Sequence, residues 1–117
     1  MSQLLNAIAI GGLVLLVISK TLAIAFYDSL LRHQFETHHE SWEVEGSHRG
    51  MNWKPPSARP SFFGQSHAWN RWLFNTPTWA RSDRRALRTL LHFRIAEGLA
   101  GAAIAAVVLA LIAGRPG

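Results

Sequence analysis

The chain has 117 residues, 49% hydrophobic and only 16% charged, with a formal net charge of +5 and no cysteine. Without cysteine there is no disulfide framework, no thiolate metal centre and no covalently attached c-type haem. The apolar residues gather at the two ends rather than spreading as in a soluble core, and each end holds a run of ~19 residues, enough at about 1.5 Å per residue to cross roughly 30 Å of hydrocarbon.

The first run, residues 4–22, is broken by one charge, Lys20, and residues 1–27 read as a first transmembrane helix closing on Tyr27 as an interfacial aromatic. A secretory signal ending at Ala23-Ile24-Ala25 is the competing reading. No Lys or Arg precedes the run, which is also long for a signal core, so a retained span is expected. Ala7 and Gly11 lie one turn apart and mark a smooth face for helix packing.

Residues 28–46 read as an acidic helical extension, with Leu30, Leu31 and Phe35 at helical spacing and a short turn over 40–45 that stops at Gly46. Residues 47–65 are a loop punctuated by Gly50, Pro55, Pro56 and Pro60, with Trp53, Phe62 and Phe63 as the side chains that dock it. Residues 66–79 hold an aromatic interfacial helix capped by Ser66, and Trp69, Trp72 and Trp79 fit a belt at the membrane surface.

Residues 80–94 form a basic stalk opened by Ser82 and Asp83, where acid suits the helix dipole. Arg81, Arg84, Arg85 and Arg88 make a juxtamembrane basic patch that attracts anionic lipid headgroups. The stalk runs on into residues 95–114, a second transmembrane helix in which Gly98, Gly101, Ala102 and Ala105 form another small-residue stripe. Whether these stripes meet each other, a homo-oligomer or a larger membrane complex stays open at this level.

Aligning the outer ends of two antiparallel spans puts Lys20, sixteen residues from Leu4, beside Glu97, sixteen residues back from Ala113. An intramembrane ion pair is one outcome; separate snorkelling, or Arg94 as the partner of Glu97, is another. Ten of the twelve Lys and Arg lie between Arg32 and Arg94, so the positive-inside rule makes the middle segment cytoplasmic and sends both termini to the other side. The acidic extension and the basic stalk carry opposite charge and are expected to lie together.

Six histidines, His33, His38, His39, His48, His67 and His92, fall in this segment. His38 and His39 point about 100° apart on a helix and His33 and His38 are five apart, so no zinc motif exists and no metal or other cofactor is expected. A b-type haem between His33 and His92, and a pH response of the cluster, stay open. The basic and aromatic residues lack any strand-period pattern, which disfavours nucleic acid as a partner, and neither a phosphate loop nor a nucleophile motif supports catalysis.

The two terminal spans, Phe62-Phe63, the aromatic helix around Trp69 to Leu73, and Asp83 opening an Arg-rich helix through Leu87 to Arg94 together resemble the universal stress protein B family. The likeness covers residues 62–98 and the layout, while the His-Glu-Ser-Trp stretch and the Pro-rich loop depart from it. The resemblance implies a small bacterial inner-membrane protein linked to stress, with no functional residues to transfer. The expected fold is thus an all-α membrane protein, an antiparallel two-helix transmembrane hairpin with a helical, loop-containing cytoplasmic segment. The expected role is structural or stress-related and non-enzymatic, with a small accessory subunit of a respiratory or transport complex as the alternative.

Overall fold

The computed structural model describes residues 2–55 and 62–115, and no strand occurs among them. The chain runs through α1 (Ser2–Thr37), α2 (His39–Val44), α3 (Phe62–Phe74), a single 3-10 turn (Thr78–Ala80) and α4 (Arg84–Ala113). Helices α1 and α4 are both long and apolar enough to cross a membrane. They run side by side in opposite directions, as the pairs Lys20 with Glu97, Phe26 with His92 and His33 with Asp83 show.

The two helices pack in different ways along their length. Toward the chain ends the contact is made by small residues: Ser19, Ala23, Ala96, Ala100, Ala103 and Ala110 are buried, and Gly12 sits directly against Ala103 and Val107. Large apolar side chains point the other way, with Ile10 63%, Val17 65% and Leu109 65% exposed. Small residues bring backbones close and supply dispersion contacts, but they bury little apolar area.

Toward the middle segment the seam fills with rings. Tyr27 is fully buried, its ring centroid 4.8 Å from Trp69, 5.4 Å from Trp72 and 5.9 Å from Phe93. Leu30, Leu31, Trp42 and Leu90 complete this core. Helix α3 is held against α4 by Arg94, whose Nε donates to the Trp72 carbonyl at 3.1 Å while its Nη2 reaches Thr76 Oγ1 at 3.3 Å. A cation at the carbonyl end of a helix satisfies orphan acceptors and opposes the dipole.

Four aromatics expected at an interface pack within or against this core. Tyr27, Trp69 and Trp72 are buried, and Trp79 is half-buried against Trp72 and His38. The physical reason is that α3 turns its ring face inward onto Tyr27 of α1 and Phe93 of α4. Helix α3 also begins at Phe62, earlier than the turn residues implied. Ser66 therefore lies within α3 and does not cap it, because the helix starts a full turn earlier. The docking role expected of the Phe62 and Phe63 side chains, and Pro56 and Pro60, fall outside what the structure describes.

Local signals explain the element ends. Gly46, at φ +112°, closes α2: Ser47 N–H donates to Trp42 O at 2.9 Å and Gly46 N–H to Glu43 O at 3.1 Å, the paired bonds of a Schellman turn. Asp83 caps α4, its Oδ1 accepting from Arg85 N at 3.1 Å and Ala86 N at 3.2 Å. Helix α1 stops at Thr37 because His38 adopts φ −125°, ψ 49°, outside the helical region.

The start of the loop is tied down. Asp28 accepts from Met51 N at 2.7 Å and Asn52 N at 2.9 Å, Gly50 N–H donates to Trp53 O at 2.8 Å, and Trp42 Nε1 donates to His48 O at 2.8 Å. A Cβ at Gly50 would collide with the Asp28 carboxylate. Gly50→Ala is therefore expected to displace that anchor and cost about 2 kcal/mol, read as a lowered midpoint in thermal unfolding of the detergent-solubilised chain. An unchanged midpoint would show that the anchor contributes nothing.

Candidate functional site

Two polar clusters are built into the seam between α1 and α4. The first lies where the small-residue contact gives way to the aromatic core. Lys20 Nζ donates to Glu97 Oε1 at 2.8 Å, Trp69 Nε1 donates to Glu97 Oε2 at 3.2 Å, and Nζ sits 5.3 Å from the Trp69 ring centroid. The Glu97 side chain is 11% exposed and that of Lys20 45%, so the carboxylate is enclosed while the ammonium reaches outward. Both carboxylate oxygens are satisfied, which is what a buried charge requires. Arg94, the rival partner, is turned toward α3 instead.

The second cluster was not legible in the sequence. His33 projects from the last turns of α1, His38 from the break after it, and Asp83 from the cap of α4. Asp83 Oδ2 lies 2.6 Å from His33 Nε2 and 2.7 Å from His38 Nε2. On one continuous helix, residues five apart diverge by about 140°. The break at His38 removes that divergence and turns both rings onto one oxygen. Hydrogen bonding from His38, and then from His33, holds the Asp83 carboxyl well below the usual carboxylate range against an opposing effect of burial, so it is ionised at neutral pH. The His38 ring also lies 5.0 Å from that of Trp79, which lines a cleft of about 520 Å³ with Glu45, Arg71 and Trp72.

The remaining sequence-derived sites are placed apart from these clusters. Arg81, Arg84, Arg85 and Arg88 are exposed and form no side-chain ion pair among the described residues. The acidic extension meets the stalk through His33 and His38 on Asp83 rather than through these arginines, since its acids pair instead with Arg32 (Glu36), His39 (Glu43) and Arg71 (Glu45). Ala7, Gly11, Gly98, Gly101, Ala102 and Ala105 all face outward, and a Cβ added at Gly11, Gly98 or Gly101 would meet nothing within 4 Å. The small residues that join α1 to α4 are a different set, because helix rotation presents Gly12 and Ala103 to the seam. His33 and His92, the pair considered for a haem, are engaged separately: His33 with Asp83, and His92 with Phe26 at 5.2 Å.

No family model, curated protein or solved structure matches the chain.

Proposed function

We propose that this chain is a two-span bacterial inner-membrane protein in which α1 and α4 form a transmembrane hairpin and the middle segment caps it on the cytoplasmic face. The observation that carries the reading is the inverted arrangement of side chains: over the terminal halves of both helices the small residues are buried and the large apolar ones exposed. Exposed Leu, Ile and Val over two such helices are costly in water at ~25 cal/mol per Å² of apolar surface. In lipid that surface costs nothing, and close approach of small residues becomes the main source of helix association.

On this reading the exposed Arg81, Arg84, Arg85 and Arg88 lie beside the inner leaflet and contact anionic headgroups. The role is structural or stress-related and exerted by contact, a reading that the resemblance of residues 62–98 to the universal stress protein B family supports. The outward Gly98, Gly101, Ala102 and Ala105 stripe favours a second reading, an accessory subunit docked on a helix of a larger membrane complex.

Carbonate extraction combined with reporter fusions at each terminus tests the proposal. The chain is expected to stay in the membrane pellet with both reporters outside the cytoplasm. Release into the soluble fraction, or two cytoplasmic reporters, would overturn it. Gentle solubilisation separates the two roles, since a fixed-ratio co-purifying polypeptide supports the accessory subunit and a lone chain the first reading.

A further inference from the structure

We infer that His33 Nε2, His38 Nε2 and Asp83 Oδ2 form a three-ligand binding site for a divalent transition-metal ion of the zinc class, completed by water. The three donor atoms lie within 4.8 Å of one another and come from three separate pieces of chain: α1, the break that follows it and the cap of α4. Their convergence is a tertiary feature. It is independent of the membrane reading, because the same helices in water would hold the same ion.

The carboxylate is already oriented for this task. Its Oδ1 is committed to the backbone N–H groups of Arg85 and Ala86, which fixes the plane of the group and leaves Oδ2 as a single outward donor. Both imidazoles aim the same nitrogen, Nε2, at that oxygen. When a cation takes the two Nε2 lone pairs, each ring carries its proton on Nδ1. For His33 that proton has an acceptor at hand, since Thr37 Oγ1 lies 3.5 Å from Nδ1. Such an outer partner orients a metal-bound imidazole.

Size and donor type select the ion. Tetrahedral zinc with bonds of about 2.0–2.1 Å sets its ligand atoms about 3.3 Å apart. Asp83 Oδ2 therefore retreats from each nitrogen by about 0.6 Å, within the reach of a small side-chain rotation. Two imidazoles and one carboxylate suit zinc, cobalt or nickel, whereas calcium and magnesium prefer all-oxygen shells and copper(I) prefers sulfur. The His33 and Asp83 side chains are 13% and 17% exposed and that of His38 25%, so the site is screened but open enough on the His38 side to admit the ion and a water. Four exposed arginines nearby oppose a cation, and three neutral or singly charged ligands give moderate binding rather than a permanently held ion.

The test uses the full chain without a polyhistidine tag, stripped with chelator and held in detergent micelles. Zn²⁺ is titrated against a chromophoric chelator, and Co²⁺ is added separately to read its ligand-field absorption. The expected result is one Zn²⁺ per chain, a tetrahedral cobalt spectrum and a raised unfolding temperature. His33→Ala and His38→Ala are expected to weaken binding at least tenfold, as is Asp83→Asn, which keeps the helix cap. His39→Ala and His92→Ala are expected to bind as the parent does. Circular dichroism without metal checks that each variant is folded. The inference is overturned if the parent binds no more Zn²⁺ than the folded His33→Ala/His38→Ala double variant, or if His39→Ala removes binding while His33→Ala does not.

Discussion

Gly12→Leu is expected to separate the two long helices and destabilise the chain by about 3 kcal/mol, while Gly11→Leu, one residue away, changes stability by less than about 0.5 kcal/mol. A Cβ at Gly12 would lie 2.7 Å from Val107 Cγ2 and 3.3 Å from the carbonyl oxygen of Ala103. The valine tip could yield by rotating, but the carbonyl belongs to α4 and moves only with the helix. Leucine adds three further carbons at that point, so the seam from Gly12 to Ala110 must open. At Gly11 the same side chain enters empty space on the outer face. In lipid the opened seam gains nothing from hydrophobic collapse, which is why close packing carries so much weight there. Reversible unfolding in mixed micelles measures both variants. Equal effects at the two glycines would show that α1 and α4 do not meet at this register.

Charge reversal at position 97 is the second large effect. Glu97→Lys is expected to cost about 3–5 kcal/mol, because it sets a second cation against Lys20, removes the acceptor of Trp69 Nε1 and does both in an enclosed position. Lys20→Met is expected to cost only about 1 kcal/mol, since the lysine side chain is 45% exposed and its attraction to Glu97 is correspondingly screened. Glu97→Gln falls between, as it keeps an acceptor for the indole. The double reversal Lys20→Glu/Glu97→Lys restores the pair but not the Trp69 bond, so it recovers part of the loss and not all of it. Unfolding midpoints of the four variants give the order directly. If Glu97→Lys left stability untouched, the pair would have no structural role.

These two positions differ in how far one dimension of information reaches. The meeting of Lys20 and Glu97 is one of the outcomes that counting along two antiparallel apolar runs of similar length allows, because there a residue number translates into a depth; the structure selects it over Arg94. Gly12 is another matter. Residues 7 and 11 were as good a small-residue face as any, and only the rotation of α1 about its axis decides that Gly12 faces α4 and Gly11 does not. The same rotation turns Tyr27 into the aromatic core at the far end, where it packs with Trp69, Trp72 and Phe93. Aromatic residues near a membrane boundary read equally well as a surface belt or as a core, because both uses reward a large ring with one polar atom.

What residue order determined by itself is whatever depends on nearest neighbours: two apolar helices of spanning length, Gly46 as a stop, Asp83 as a cap and the absence of any strand pattern. What only the tertiary structure decided is whatever depends on two distant segments choosing a mutual orientation. The inward turn of α3, the seam built on Gly12, and the meeting of His33 and His38 with Asp83 all belong to that class. The histidine cluster shows the reason most plainly. Helical periodicity assigns directions only while the helix continues, and the break at His38, with the carboxylate 45 residues further along the chain, puts the outcome beyond any local rule.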